Sequence, residues 1–349
     1  MKTKVCELLE VEYPILLAGM GHVSSSPQLV AAVSEAGGFG FLALASISTE
    51  DTREEIRKVK ELTDKPFGVN APMIMMGLNE KLEISHKEDI RVFATSLGNP
   101  KGLVQWGKER NRRMIHTGGS PRHAVSAERA GVDAVIMTGT EGGGHVSYIG
   151  SIALIPQTVD RVKIPVIAGG GISDARGLVA ALSLGAEGVM MGTRFALSKE
   201  SPLPENIKQR MLRASGDDTV ATTAVTGKQA RMLKNVYTDK LLAGGKGRAS
   251  IWETITGAFK LKRSLGASTS ETLPAAWRAF ASDPDMLKML SAGVRIRKAL
   301  VEGDEEEGVL LCGQACGMIN DLPTCKEIID CIVGEAEVIL ASTASKIKS

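Results

Sequence analysis

One stretch concentrates the reactive chemistry. Residues 138–147 run Thr-Gly-Thr-Glu-Gly-Gly-Gly-His-Val-Ser. The chain has five histidines, and only His145 is presented on a run of glycines. Bare backbone before an imidazole lets a ligand approach closely, and a histidine exchanges a proton near neutral pH. His145 is therefore the candidate catalytic group. His116 ends a short apolar run and is its main rival. His22 follows the first apolar run, while His86 and His123 fall in helical or loop stretches and are expected to be solvated. Glu141 has two readings: a carboxylate for a ligand hydroxyl, or a cap on the following turn. Asn70 also has two. Its amide offers a donor and an acceptor to a planar heterocycle, or it is a turn residue.

A second kind of chemistry is marked by glycines alone. An apolar run ends in Gly169-Gly170-Gly171-Ile172-Ser173-Asp174, and the next ends in Met191-Gly192-Thr193-Arg194-Phe195. Consecutive glycines let main-chain N–H groups face an anion, and a helix start adds its positive end. Each glycine alone has a structural reading as a tight turn. As a pair one βα unit apart, they form a candidate phosphate clamp. Cys312, Cys316, Cys325 and Cys331 are spaced C-x3-C-x8-C-x5-C, with no CxxC pair and no nearby histidine. That is unlike a zinc or iron–sulfur module, so no metal is expected and these cysteines read as buried small residues on two helices.

The elements that must carry these residues alternate. Short apolar runs at 14–18, 38–42, 66–70, 91–95, 113–116, 133–137, 164–168 and 188–191 are eight candidate strands. Helical patterns fill the gaps, at 27–36, 49–62, 121–130 and 174–184 among others. Strands alternating with helices call for a parallel sheet, and eight such units favour a closed (β/α)8 TIM barrel over an open sheet. The first strand ends in Ala18-Gly19-Met20-Gly21 and lacks the GxGxxG of a doubly wound dinucleotide fold. From residue 199 the alternation stops. Helices at 204–214 and 251–262, a strand at 219–225 and a glycine-rich break at 243–247 suggest a mostly helical cap inserted after strand 8. The expected organisation is a barrel over 1–198, a cap and substrate domain over 199–292, and C-terminal helices over 293–349 that pack back on the barrel.

Composition narrows the partners. With 42 basic and 40 acidic residues the net charge is +2, and aromatic residues are 4%. Neither a basic stripe nor a base-stacking surface is available, so nucleic acid is not expected. No apolar run is long enough to span a bilayer. Five cysteines without a secretory leader fit a reducing cytoplasm. A homodimer is allowed by the sequence but not marked in it.

Taken together, these motifs resemble the nitronate monooxygenase family, once called 2-nitropropane dioxygenases, and the related FMN-dependent enoyl-ACP reductase of the second type. The resemblance rests on Tyr13-Pro14-Ile15 with Ala18-Gly19-Met20, on Pro66-Phe67-Gly68-Val69-Asn70, on Gly142-Gly143-Gly144-His145, on Ile164-Pro165-Val166-Ile167-Ala168-Gly169-Gly170-Gly171, and on Met191-Gly192-Thr193-Arg194-Phe195. A late match at Gly303-Asp304, Gly313-Gln314 and Gly317 extends it. It implies FMN, with Ala18, Gly19, Met20 and Asn70 at the ring and Gly169, Gly170, Gly171, Gly192 and Thr193 at the phosphate. Glu141, Gly144 and Gln314 are placed near the cofactor. It also implies that His145 touches the substrate. In a nitronate monooxygenase it would be a base or an orienting donor, with oxygen as oxidant. In an enoyl-thioester reductase NAD(P)H would supply electrons, and the histidine would steady the developing enolate. A small-molecule or acyl-thioester substrate follows from either. Val146-Ser147, Gly118-Gly119 and the cap depart from the family pattern. A non-redox isomerase or synthase using the same phosphate clamp is the reading from another class, and a binding protein without catalysis is a further one.

Overall fold

The structure is a computed structural model that describes residues 2–244 and 284–348. Its centre is a ring of eight parallel strands: β1 (Ile15–Leu17), β2 (Gly40–Ala43), β3 (Phe67–Pro72), β4 (Val92–Ser96), β5 (Arg113–Gly118), β6 (Ala134–Thr138), β8 (Val166–Gly169) and β9 (Gly188–Met191). A two-residue strand, β7 (Gly144–His145), stands outside the ring. All eight expected strands are present. The order β1-β9-β8-β6-β5-β4-β3-β2 places sequential strands side by side. The ring closes where β1 meets the residue before β2: the Leu17 N–H donates to the Phe39 carbonyl and the Phe39 N–H to the Ile15 carbonyl, both at 2.9 Å. This is a (β/α)8 barrel.

Alternation along each strand splits the core in two. Leu16, Phe41, Ala94, Ile115, Ile136 and Ile167 pack together inside the ring. Their neighbours Ile15, Leu17, Leu42, Phe93, Val135 and Ala168 belong to the layer shared with the helices. Both layers are buried, so the strands are apolar throughout. The charged start of the chain hides an element that its composition did not suggest. Helix α1 (Lys4–Leu9) inserts Val5 and Leu9 into the inner cluster and plugs the ring at the N-terminal ends of the strands.

Helices α3 (Thr52–Leu62), α4 (Leu78–Lys87) and α5 (Lys101–Glu109) follow β2, β3 and β4, and the helices start and stop where their caps dictate. In α2 (Pro27–Glu35) and α6 (Pro121–Ala130), a serine caps the first turn and proline takes the next position. The last turn of α6 ends on Gly131 in the left-handed region, at φ +94°, a conformation glycine adopts without strain. Two further helices flank the region after β6: α7 (Ser151–Val159) and α8 (Ala175–Ser183).

After β9 the chain leaves the ring. The expected helix and strand appear as Glu205–Leu212 and β10 (Thr219–Thr222). The strand has a partner that was not expected. β10 pairs antiparallel with β11 (Ala230–Leu233), and β11 pairs antiparallel with β7. The described part of the region beyond residue 199 is thus built around a three-stranded sheet as well as helices. The helix expected at 251–262, and most of the glycine break at 243–247, lie outside the described residues. The closing helices are Pro284–Leu300 and Cys325–Lys348, and the second packs on α2 and α8. Arg194, buried just after β9, fastens the end of the barrel to the segment before that last helix. It donates to the Asp321 carboxylate at 2.7 Å and to the Asp321 carbonyl at 3.0 Å. No helix among the described residues is long and apolar enough to cross a membrane.

Close approach of α2 to β2 depends on Gly40. A β-carbon there would stand 2.4 Å from the Val30 carbonyl oxygen. Gly40→Ala is expected to lower stability by about 1–3 kcal/mol, the usual cost of overpacking a closed core. Thermal unfolding followed by circular dichroism checks it. An unchanged midpoint would mean that α2 can slide outward freely.

Candidate active site

The C-terminal ends of the strands surround a cavity of about 1880 Å³. Its wall includes Gly19, Asn70, His116, His145, Gly171 and Thr193. Barrel enzymes keep their reactive groups at this end. Of the residues picked from the sequence, Ala18, Gly19, Met20, Asn70, Gly144, Gly170, Gly171, Gly192 and Thr193 all border this one space, together with His145.

Three do not border it. Gly169 is the buried last residue of β8, one position behind the wall. Glu141 turns the other way. Its carboxylate accepts the Ser151 N–H at 2.9 Å and the Ser151 hydroxyl at 2.9 Å. It therefore serves the first turn of α7, which is the capping reading and not the ligand-hydroxyl one. Gln314 has an exposed side chain, and its N–H donates to the Glu141 carbonyl at 2.9 Å. Its neighbours Gly313 and Ala315 reach the wall, and the Gln314 amide does not. A further expectation is corrected at α8. The Asp174 carboxylate already accepts the N–H groups of Arg176 and Gly177, at 3.0 and 3.2 Å. Any anion near Gly170 must use the loop amides instead of that helix start.

The glycines explain how the wall is built. Gly170 and Gly171 have φ of +95° and +75°, so their amides turn out of the strand direction with no side chain to block them. A β-carbon on Gly19 would lie 2.2 Å from Asn70 Cγ. The Asn70 side chain thus lies across a bare α-carbon. Asn70 is buried at the cavity edge, and its amide has no hydrogen-bond partner among the described residues. The Ser173 hydroxyl, just past the glycine pair, is also buried without a partner among the described residues. Thr193 Oγ1 accepts the Gly313 N–H at 3.0 Å, which docks the late segment on the end of β9.

His145 is held by the hairpin that the sequence did not reveal. It sits in β7 opposite Ala230 of β11, and its Nε2 is 3.2 Å from Thr226 Oγ1. The Thr226 hydroxyl donates its own hydrogen to the Lys228 carbonyl at 2.8 Å. Its oxygen can then only accept from the imidazole. Nε2 therefore carries the hydrogen, and Nδ1 keeps a free lone pair, with no partner among the described residues. Burial lowers the pKa of His145, and the nearby Lys228 ammonium lowers it further. The ring is neutral at neutral pH and able to accept a proton.

The rival His116 is more deeply set. Its Nδ1 is 2.8 Å from Thr95 Oγ1, and burial, with a smaller push from His123, lowers its pKa to about 4. It stays uncharged under ordinary conditions and lines the floor of the cavity. His22 also borders the cavity, with a pKa lowered by burial and then by Arg297. His123 is exposed as expected, but His86 is not simply solvated: it accepts from Arg112 Nε at 2.9 Å. Cys312, Cys316 and Cys325 are buried free thiols, whereas Cys331 is exposed. Cys316 lies within a 3-10 turn (Gln314–Met318) and Cys312 just before it, so neither is on an α-helix.

Comparison with known proteins places the chain in a family. The family model described as nitronate monooxygenase matches residues 2–74 and 71–335. The chain belongs to the nitronate monooxygenase family. Members of that family act as oxidoreductases, and so does this chain. A Mycobacterium tuberculosis relative named (3aS,4S,5R,7aS)-5-hydroxy-7a-methyl-1-oxo-octahydro-1H-indene-4-carboxyl-CoA dehydrogenase is 35% identical over 100% of this chain and 99% of its own. A probable nitronate monooxygenase of Staphylococcus saprophyticus is 35% identical over 69% of this chain and 81% of its own. The solved structure of FabK from Thermotoga maritima superposes with a TM-score of 0.81 at 34% identity, covering 99% of each chain.

Within this family member, the residues that sequence reasoning missed come from the hairpin turn. Thr226, Lys228 and Gln229 reach over β7, and Gln229 Nε2 donates to the Ser147 carbonyl at 3.0 Å. The signal was present as Thr-Gly-Lys between two short strand-like runs, a turn composition. A fourth addition, from outside the hairpin, is Lys81 in the cavity wall. Its ammonium is buried and donates to the carbonyls of Leu44 and Ile47, at 3.0 and 2.6 Å, and burial lowers its pKa to about 8.

Two outcomes follow from the His145 contacts. Activity that needs the neutral imidazole is present above its pKa and lost as pH falls through it, so the acidic limb lies below the ordinary histidine value of about 6.5. Lys228→Met removes a positive neighbour, and the limb should move to higher pH at low ionic strength. A limb that stays in place would mean that the two groups do not interact. Thr226→Val leaves the ring free to take either tautomer, and kcat is expected to fall about tenfold with KM little changed. Equal kcat in the variant would remove Thr226 as a positioning residue.

Proposed function

We propose that the cavity binds FMN and that the enzyme performs two-electron chemistry on the carbons beside the carbonyl of an acyl thioester. The observation that carries the thioester reading is the size of the cavity. At about 1880 Å³ it exceeds the roughly 300–1,000 Å³ of ordinary small-ligand sites. A flavin in the cradle leaves space for a bulky acyl group, whereas a nitronate would leave most of that space to water. The full-length likeness to a carboxyl-CoA dehydrogenase supports the same substrate class.

The residues fit the cofactor. An unpartnered amide at Asn70 lies against bare Gly19, which suits the polar edge and flat face of a ring system. Gly170, Gly171, Gly192 and Thr193 would hold the phosphate through main-chain amides and a hydroxyl, with Ala18 and Met20 against the ring. When bound, FMN supplies the hydride acceptor or donor, with NAD(P)H as electron source in the reducing direction.

The chain's own residues handle the proton. In the oxidising direction, His145 Nδ1 takes the proton from the carbon next to the carbonyl. In the reducing direction, the imidazolium returns it to the same carbon. Thr226 keeps Nε2–H engaged, so the free nitrogen is the one that reacts. The hairpin turn at Lys228 and Gln229 covers the ring and limits water there. Lys228 also offers a positive charge at the edge of the cavity where an enolate oxygen would gain charge. In this reading the segment over 199–292 contributes substrate contacts through that turn.

A second reading, oxidation of alkyl nitronates with oxygen, is favoured by the Staphylococcus relative's name. It is also favoured by the free Nδ1, which is a base towards an acidic C–H beside a nitro group. Anaerobic mixing separates the two. With NADH and crotonyl-CoA, the flavin absorbance should bleach with NADH and recover with the thioester. Bleaching by a nitronate alone would defeat the thioester reading, and a colourless protein would defeat both. His145→Ala is expected to retain flavin and lose about 10²-fold or more in turnover. Undiminished turnover would remove His145 from the chemistry.

A further inference from the structure

Outside the cavity, a row of arginines stands without counter-charges. In α6, Arg122, Val125, Ser126 and Arg129 fall at i, i+3, i+4 and i+7, which places them on one stripe. The two arginines are separated by two helical turns, about 10 Å along the axis. Arg161, just beyond the end of α7, faces the same stripe. With Pro121 these residues enclose a groove of about 290 Å³ between the two helices. All three arginines are exposed, and none makes an ion pair or a side-chain hydrogen bond among the described residues.

That is unusual on this surface. Arg57 is paired with Glu88, Arg112 with Asp89, and Arg176 with Asp174. The one acidic residue of α6, Glu128, is already committed: its carboxylate accepts the Lys163 N–H at 2.6 Å and the Ile164 N–H at 3.3 Å. Asp160 is exposed and stands outside the groove lining. Three guanidinium groups so placed repel one another unless an anion lies between them. Their planar forks match phosphate oxygens two at a time.

The groove adjoins the active-site cavity at α6. Ser126 borders both the groove and the main cavity, and the cavity wall also runs through Ser120 and His123 of the same region. A ligand can thus have its reactive end beside His145 and a charged end among the arginines. Its charged end must be compact and polyanionic, and its middle long and thin.

We propose that this groove binds the phosphorylated nucleotide end of a coenzyme A thioester, with Arg122, Arg129 and Arg161 on its phosphate groups. This rests on the thioester reading above and adds the handle by which such a substrate is recognised. A concave site of this volume suits a nucleotide head better than the convex acidic helix of a carrier protein. The arginines contact no reacting atom. Their role is in affinity, not in the proton or hydride transfer.

The test uses the flavin-loaded enzyme, two thioesters with the same acyl group, and adenosine 3′,5′-bisphosphate as probe. The coenzyme A thioester should show a KM about tenfold or more below that of the pantetheine thioester, and the bisphosphate should compete with it. Arg129→Ala and Arg161→Ala should each raise the dissociation constant of the probe about tenfold in calorimetry at low salt. The same variants should narrow the KM gap between the two thioesters. Equal KM values in the unmodified enzyme would overturn the groove assignment and leave the thioester reading standing. Arginine-dependent binding of the bisphosphate without turnover of any thioester would uphold the groove and defeat that reading. Arginine-dependent binding of an acidic acyl carrier protein, with no binding of the bisphosphate, would assign the groove to a protein partner and overturn the proposal.

Discussion

Everything at the mouth of the barrel depends on main chain packing directly against main chain. Three segments meet there: the loop after β6, the loop after β8 and the strip around residue 313. A β-carbon on Gly143 would stand 2.7 Å from the Gly313 nitrogen, one on Gly313 would stand 2.9 Å from the Glu141 carbonyl, and one on Gly170 would stand 3.1 Å from the Gly142 nitrogen. Side chains in any of these places would drive the loops apart. Their absence lets peptide groups from distant parts of the sequence share one small volume. The same bareness exposes amides towards the cavity. Close packing and the exposure of these amides therefore arise from a single requirement, and neither can be altered without the other.

The imidazole of His145 is positioned by a different device. A histidine at the end of a glycine run would be mobile by itself. Here two residues, Gly144 and His145, are drawn into the sheet with β10 and β11, and Arg231 adds a bond from its Nε to the Thr140 carbonyl at 2.8 Å. The loop is pinned on both sides of its glycines. Thr226 then sets the tautomer, and burial keeps the ring neutral. Glu141, the one carboxylate in the loop, is kept busy at the start of α7. Had it faced the imidazole it would have favoured the charged form. The capping of α7 and the basicity of His145 are in this sense linked.

The barrel was legible because its signals are local. Eight apolar runs, helices opened by Ser26, Ser120 and Asp174, and the closing glycine at 131 each speak for their own few residues. The glycine loops were legible for the same reason. The docking of β7 on the hairpin was not, because β7 is two residues long and its partner lies more than 80 positions away. No periodicity exists in two residues, and the pairing is visible only once the chain is folded. Glu141 was ambiguous at the sequence level because a carboxylate beside glycines suits a ligand or a helix start equally well, and only the position of Ser151 decides. At 313–315 it is Gly313 and Ala315 that border the cavity while Gln314 is exposed, a distinction the motif itself does not carry. The start of α8 misled similarly, since Asp174 is both the signal for the helix and the group that occupies its free amides.

This division bears on how relatives with different names share one core. The strand ends supply bare amides, an uncharged floor at His116 and a fixed cavity axis, none of which distinguishes one oxidisable carbon from another. What distinguishes substrates must then sit where the chain is free to vary without opening the ring. Two such places are visible. The hairpin turn contributes Thr226, Lys228 and Gln229 over the imidazole, and the outer face of α6 contributes charge without touching the inner layer, since Ala124 and Ala127 face inward while Arg122 and Arg129 face out. Under the proposed readings of these two places, changes at either would alter the fit of a substrate and leave the main-chain contacts intact. A barrel of this kind can therefore keep its main-chain framework unchanged while the side chains at these two places vary.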